Sequence, residues 1–256
     1  MKKLIIAEKP SLARNIASAL NVRINKEGYM ENEKYIVSWA FGHLFKLRDV
    51  DGYVGEKRKW SEVKLPFFPE KFEFELKNDS GIKKQYKILK NLINSKEVDE
   101  VVNAGDADRE GQIIVDIIID TIKTNKKIKR LWLPEQTEET IRKAINNLED
   151  NFKYKNLHNE GLARTYMDWL MGINLTRYIS LKANMLFPVG RVLIPVIKYI
   201  YDKDLAIKNF IPEKYFTIES ETMCNGTLLK LICDKKYNLL ELEKAKSYSY
   251  ELNGNK

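Results

Sequence analysis

The sequence predicts an α/β fold, a mostly parallel sheet with helices on both faces, followed by a helical domain and a short β-containing C-terminal segment. Three observations support this class. Short apolar runs alternate with helical patterns through Leu148, helical spacing of apolar residues continues from Leu157 to Leu205, and strand character returns from Tyr215. We therefore expect three parts, at residues 1–150, 151–214 and 215–256.

The first strand and helix place two polar residues at one edge of the sheet. Leu4–Ala7 is a short continuous apolar run, typical of a buried parallel strand. Ser11 is expected to cap a helix whose apolar residues recur at helical spacing. Ligands of open α/β sheets bind at the carboxyl ends of the strands, so Glu8 and Lys9 lie where a site is expected.

A second apolar strand, Val98–Ala104, runs into three carboxylates spaced two residues apart, Asp106, Asp108 and Glu110. On extended backbone the two aspartates point the same way, and Glu110 can join them from the start of a helix at Arg109. Oxygen ligands with no His or Cys nearby favour Mg²⁺ over zinc. The alternative is a polar loop whose acids cap the helix, because carboxylates are favoured at a helix N-terminus.

The remaining elements follow from breaks and caps. A strand at Ile128–Leu133 ends at Pro134, and Thr137 caps the next helix. The later part predicts further helices and strands, at Leu157–Leu181, Leu193–Leu205, Tyr215–Thr222, Thr227–Cys233 and Glu241–Tyr250.

Polar residues outside the acidic cluster have both an ordinary and a functional interpretation. His43 follows Gly42 and suits a turn as well as a substrate contact. Arg164 and Asp168, at i and i+4, can form a plain ion pair on one helix face. Arg191 follows a glycine, so backbone and guanidinium can meet a phosphate together.

Composition narrows the partners. With 44 Lys and Arg against 36 Asp and Glu, the net charge of +8 favours a polyanionic partner such as nucleic acid, although solvated lysines give the same total. Cys224 and Cys233 have neither disulfide-framework nor zinc-ribbon spacing, which indicates a reducing, cytoplasmic setting. No apolar run reaches the length of a membrane span, so no membrane partner is expected.

Five separated motifs, in this order and approximate spacing, resemble the type IA DNA topoisomerases. The third and fourth look more like topoisomerase III than topoisomerase I, and the resemblance runs from Met1 to about Phe216. The motifs are IAEKPS at 6–11, GHL at 42–44, AGDADREGQ at 104–112, DWLMGIN at 168–174 and VGRV at 189–192.

This resemblance implies a TOPRIM domain, which is Rossmann-like, over about the first 150 residues, and then the helical domain that helps close a single-strand DNA groove. It implies that Glu8 is the acid/base residue beside the scissile phosphate and that Lys9 is its electrostatic partner. The acidic triad would hold Mg²⁺, the cofactor we expect. Arg164 and Asp168 would contact single-stranded DNA, with His43 and Arg191 as further candidates for that contact.

The sequence also departs from the family. Ala107 replaces a usual Pro, which is expected only to loosen the turn, and Leu193 and Ile194 replace polar Gln and Thr. The family's nucleophile is a Tyr in a Tyr-x-Arg-Thr-like segment, and none of the 13 tyrosines has that context. Without an activated Tyr, no covalent DNA intermediate can form.

We therefore expect the N-terminal, TOPRIM-containing part of a topoisomerase III-like enzyme, as an expressed fragment or a naturally short relative. The full enzyme would cleave, pass and rejoin single strands with Mg²⁺. This chain alone would bind single-stranded DNA without relaxing supercoils, and its Tyr would come from missing C-terminal domains or a partner chain. Two alternatives stay open, a stand-alone single-stranded DNA-binding accessory module and a small TOPRIM nuclease or primase-like enzyme.

Overall fold

The computed structural model describes residues 1–55 and 59–254 of the chain. Its internal contacts divide it into two compact units, Met1–Ile194 and Pro195–Lys256. The strands of the first unit are β1 (Lys2–Ala7), β2 (Ile24–Lys26), β3 (Tyr29–Glu31), β4 (Tyr35–Trp39), β5 (Phe45–Leu47), β6 (Phe74–Leu76), β7 (Val98–Ala104), β8 (Lys127–Arg130) and β9 (Glu149–Asp150).

The helices of the first unit connect these strands. They are α1 (Pro10–Ala19), α2 (Val50–Val54), α3 (Ser80–Asn94), α4 (Arg109–Ile122), α5 (Glu138–Ile145) and α6 (Lys155–Ala183), with short 3₁₀ turns at Trp60–Glu62 and Asn151–Tyr154.

Over the described residues, seven strands form one sheet in the order β2-β3-β4-β1-β7-β8-β9. The four middle strands are parallel, and β2, β3 and β9 run antiparallel at the edges. In the parallel register Ala7 lies beside both Trp39 and Ala104, so β4, β1 and β7 end at the same level. The predicted mostly parallel sheet is confirmed.

Each face of the sheet carries its own apolar core. Alternation along β1 sends Leu4 and Ile6 to one face and Ile5 and Ala7 to the other, and all four are fully buried. Helices α3 and α4 cover the first face, and α1 and α5 cover the second. The prediction of helices on both faces is therefore confirmed.

Several predicted boundaries differ from the structure. Helix α1 begins at Pro10 and has no side-chain cap, so the prediction that Ser11 caps it is wrong. Proline suits this first position because its fixed φ is helical and its missing N–H would have no intrahelical partner. Strand β8 ends at Arg130, three residues before the predicted Leu133. Thr137 does cap α5, accepting a hydrogen bond from the Thr140 amide.

Helix α6 packs closely against α4. A Cβ atom built on Gly161 would lie 2.9 Å from the carbonyl oxygen of Arg109, so only glycine allows the two helices to approach this far. Further along α6, Tyr166 stacks on Phe72, with ring centroids 4.0 Å apart. These contacts fix α6 over the edge of the sheet where β7 ends.

Helix α7 (Leu193–Lys208) leads into the second unit, which contains β10 (Tyr215–Phe216), β11 (Glu219–Cys224), β12 (Thr227–Ile232), β13 (Tyr237–Asn238), a 3₁₀ turn (Leu239–Glu241) and α8 (Leu242–Gly254). Strands β11 and β12 form an antiparallel hairpin, and β10 pairs with β13. Cys224 and Cys233 are free thiols. Among the described helices, none is both long and apolar enough to cross a membrane.

Candidate active site

The ends of β1 and β7 bring Glu8, Lys9 and Asp106 together. Because Ala7 and Ala104 are paired in register, the residues that follow them leave the sheet side by side. The Asp106 amide donates to Oε2 of Glu8 at 3.2 Å, and Nζ of Lys9 forms an ion pair with Asp106. The expectation that Glu8 and Lys9 share an edge with the acidic cluster is met.

The charges in this group act on one another. Burial raises the pKa of Glu8 above its ordinary value, and the carboxylates of Asp106 and Asp108 raise it further. The amide of Asp106 and the ammonium of Lys9 oppose that rise. The hydrogen bond to Asp106 raises the pKa of Lys9. A carboxyl group with a raised pKa holds a proton closer to neutral pH, as a general acid must.

Residues 105–108, here called the acidic turn, are folded tightly against the start of α4. A Cβ atom on Gly105 would lie 2.5 Å from the carbonyl carbon of Gly111, and one on Gly111 would lie 2.8 Å from Cα of Asp106. Both positions therefore require glycine. Asp108 is the N-cap of α4 and accepts a 2.8 Å hydrogen bond from the Gly111 amide. The helix-capping interpretation is correct for this carboxylate.

Glu110 connects the acidic turn to α6. Its Oε2 lies 3.3 Å from Nε2 of His43, and its Oε1 pairs with the guanidinium of Arg164. Arg164 in turn lies 3.7 Å from Asp168, whose two oxygens accept from Arg191 at 2.6 and 3.1 Å. The hydrogen bond from Arg191 lowers the pKa of Asp168. The result is a row of alternating charges from Glu110 to Arg191, with His43 beside Glu110.

The three carboxylates of the predicted metal site each have a protein partner. Asp106 pairs with Lys9, Asp108 with the Gly111 amide and Glu110 with Arg164. Across residues 1–55 and 59–254, no group of three or more His, Cys, Asp or Glu side chains is arranged to hold a metal ion. The donor chemistry nevertheless fits a hard divalent cation, because the acidic turn offers only oxygen ligands. Binding would require Lys9 or Arg164 to release its carboxylate.

Buried polar residues that were not predicted from the sequence support the acidic turn from inside. Arg130, at the end of β8, is 1 % exposed and lies beneath the turn. Asn103 and Asp116 are also buried, and His158 of α6 contacts Asp116 at 2.9 Å. A signal was present, since each of the three buried residues is a polar side chain in or next to an apolar run of a strand or helix.

Comparison with known proteins assigns both parts of the chain. The Toprim domain family matches residues 3–136, which is more than half of the sequence, and the DNA topoisomerase family matches residues 153–256. The chain belongs to the type IA DNA topoisomerases. Members of this family with a Toprim domain depend on a divalent metal and bind DNA.

Individual relatives agree with this assignment. DNA topoisomerase 3 of Staphylococcus haemolyticus is 36% identical over 241 residues, and that of Bacillus cereus is 39% identical over 222 residues. These alignments cover 94% and 87% of this chain but 33% and 30% of the relatives. The chain therefore spans about a third of the length of the curated relatives it matches.

A solved structure shows the same fold. Full-length topoisomerase I from Thermotoga maritima aligns with a TM-score of 0.56 and 22% identity. The alignment covers 94% of this chain and 37% of that one. At this level of identity the similarity shows a shared fold.

Proposed function

We propose that this chain supplies the metal-binding and acid–base part of a topoisomerase III-like enzyme and holds single-stranded DNA at the carboxyl edge of the sheet. One observation carries the proposal. Two strands and a helix, distant in sequence, place Glu8 and Lys9 against Asp106 and Arg164 against Glu110.

Glu8 and Lys9 have the chemistry needed beside a scissile phosphate. Glu8, with its raised pKa, can give a proton to the departing 3′-oxygen and take it back from the resulting hydroxyl on rejoining. Lys9 adds positive charge next to the phosphate oxygens. Asp106, Asp108 and Glu110 would hold Mg²⁺, which when bound supplies further charge stabilisation on those oxygens.

The row of charges that runs from Glu110 through Arg164 and Asp168 to Arg191 suits the backbone of a single strand. Arg164 and Arg191 present guanidinium groups that match phosphate geometry, and Asp168 orients Arg191 through two hydrogen bonds. His43 lies beside the other carboxylate oxygen of Glu110 and is a further candidate for a contact with the strand. A cleft of about 380 Å³ lies beside the acidic turn, lined by Asp108, Arg109, Glu110, Leu157, Glu160 and Arg164.

The covalent step needs a nucleophile, and no tyrosine of this sequence lies in the motif that carries it in the family. In the proposal, a Tyr from the C-terminal domains of the full enzyme or from a partner chain attacks the phosphate. By itself the chain binds single-stranded DNA and does not relax supercoiled DNA.

The first test measures binding and relaxation on the same chain. Fluorescence anisotropy with a single-stranded oligonucleotide in Mg²⁺ should show binding that weakens with salt, and plasmid relaxation should be absent. Arg164→Ala should weaken binding by roughly fivefold and lower the salt dependence by about one counterion. Arg23→Ala is the control, because Arg23 is exposed beyond the far end of α1 from Glu8.

The outcomes separate the alternatives. Equal affinities of wild type and Arg164→Ala would place the DNA elsewhere. Relaxation by the chain alone would show that one of its own tyrosines is the nucleophile. Mg²⁺-dependent nicking that disappears in Asp108→Asn would instead identify a nuclease.

A further inference from the structure

Arg130 is buried beneath the acidic turn and donates hydrogen bonds to backbone carbonyls. Its Nη1 donates to the carbonyl oxygens of Asn103 at 3.1 Å, Gly105 at 2.9 Å and Leu131 at 3.0 Å. Its Nη2 donates to the carbonyl oxygen of Asp106 at 2.7 Å. The acceptors include two successive residues of the turn, so one side chain holds that backbone.

Burying the charged guanidinium of Arg130 costs free energy of folding. Burial lowers the pKa of Arg130 to about 10, and the group still carries its charge at neutral pH. The guanidinium lies 4.9 Å from the ring centroid of Trp132 and 5.7 Å from that of Tyr154, and these two rings stack on each other. This charge is removed from water without an ion pair of its own, and only the fields of Asp116, Asp108 and Asp106 and the carbonyl dipoles favour it, so it contributes little net stability compared with an apolar side chain. Its position therefore calls for another explanation.

Asn103 holds the same turn from its amide side. Its Oδ1 accepts from the Gly105 amide at 3.0 Å, and its Nδ2 donates to the Gln112 carbonyl at 3.1 Å and to Asp116 at 2.8 Å. Carbonyls of the turn are thus bound by Arg130 while an amide is bound by Asn103. Arg130 and Asn103 hold the backbone of the turn from the buried side, and the side chains of Asp106 and Asp108 remain at least partly exposed at the edge of the sheet.

We propose that Arg130 is a positioning residue, which holds the acidic turn in the conformation from which Asp106 and Asp108 bind a divalent cation. The part concerning the cation rests on the proposed function. Lysine cannot replace it, because a single ammonium group lacks the planar fork whose two nitrogens reach the carbonyls of Gly105 and Asp106. The proposal therefore distinguishes the shape of the side chain from its charge.

The test compares Arg130→Lys with wild type by two measurements on the full chain. Hydrogen exchange read by mass spectrometry should show at least tenfold faster exchange in the segment 104–112, with the β1 and β4 segments unchanged. Binding of Mn²⁺ alone, followed by electron paramagnetic resonance, should weaken at least tenfold. Lys129→Ala is the matched control, since it removes a charge from the adjacent residue, which pairs with Asp150 at 3.7 Å instead of with the turn.

A folded Arg130→Lys with wild-type exchange in the turn and wild-type Mn²⁺ binding would overturn the proposal. If Arg130→Lys does not fold, Arg130→Gln decides, because its neutral amide lacks the planar fork; wild-type exchange in the turn of that variant would equally overturn the proposal. Asp108→Asn tests the metal site separately. If that variant binds Mn²⁺ as wild type does, the metal assignment fails, and exchange alone judges Arg130.

Discussion

Two glycines decide whether the acidic turn can form, because each occupies the space that a side chain on the other would need. Gly105→Ala should lower the free energy of unfolding by about 2–4 kcal/mol, since the new methyl group would meet the backbone of Gly111. Urea unfolding measures this loss. Gly172→Ala in α6 is the control, because outside the adjoining backbone of α6 the nearest atom to its Cβ would be the Val189 carbonyl oxygen at 3.8 Å, and alanine favours the helix by up to about 1 kcal/mol. An equal effect of both variants would contradict the turn geometry.

Glu8 offers a second test at the level of one residue. Its pKa is raised in the folded chain, mainly by burial, so its ionised form is disfavoured there relative to the unfolded chain. Glu8→Gln should therefore raise the free energy of unfolding at pH 7, by less than about 1 kcal/mol because solvent screens this half-exposed carboxyl group. The gain should fade as the pH falls through the raised pKa toward 4.5, where Glu8 itself is protonated. Thermal melting between pH 4 and 7 follows the difference.

The exposed Glu139→Gln serves as the reference for that series, because Glu139 lies on the outside of α5 and pairs only with Lys143 at 2.6 Å across the described residues. Its effect should be small and of the opposite sign. A Glu8→Gln chain that is less stable than wild type at pH 7 would show that the ionised carboxylate is favoured by the fold.

At the level of elements, helices α4 and α6 are joined by a buried polar cluster around Asp116. This carboxylate accepts from Asn103, Gln112, Asn151 and His158 at 2.8 to 2.9 Å. Burial raises the pKa of Asp116, but the hydrogen bonds outweigh it and leave the pKa below its ordinary value. The bond to Asp116 raises the pKa of His158. The cluster connects α6, which carries Arg164, to the strand that carries the acidic turn.

The stability supplied by His158 should depend on pH. Because its pKa is raised by folding, the contribution is complete below pH 6.5 and is lost as the pH rises through the folded value. His158→Gln should therefore cost about 2 kcal/mol at pH 5.5 and clearly less at pH 8.5. Chemical denaturation at the two pH values measures the change. The exposed Lys143→Gln should show no such trend, and a cost for His158→Gln that is equal at both pH values would exclude a charged His158.

Across the whole molecule, the contacts that could be predicted are those that follow from the parallel strands of the sheet. Parallel strands deliver the residues that follow them to one edge, so the amino-acid sequence alone was enough to place Glu8, Lys9 and Asp106 together. The partners of the carboxylates could not be predicted in this way, because Glu110 pairs with Arg164 from a different helix. The role of Arg130 was also missed. Its place beside an apolar run is a signal of burial, but its acceptors are backbone carbonyls, which the sequence does not identify. Local signals misled at Ser11, where Pro10 already begins the helix.

The limits of the first unit give a final prediction. The sequence predicts a boundary after residue 150. In the structure, α6 belongs to the same compact unit as the sheet, and that unit ends at Ile194. Both apolar cores lie in residues 1–194, and Leu162 of α6 packs on the one that contains α4. A chain ending at Val192 should therefore melt cooperatively within a few degrees of the full chain's first unit.

A chain ending at Asp150 should behave differently. It loses Asn151 and His158, two partners of buried Asp116, and uncovers α4 where Gly161 now packs. The loss of two hydrogen bonds to a buried charge costs about 3 kcal/mol or more, which corresponds to roughly 6–12 °C in melting temperature. Differential scanning calorimetry of the two truncated chains compares them directly. If the shorter chain melts as high as the longer one, α6 is not part of the cooperative unit, and the boundary after residue 150 is the correct one.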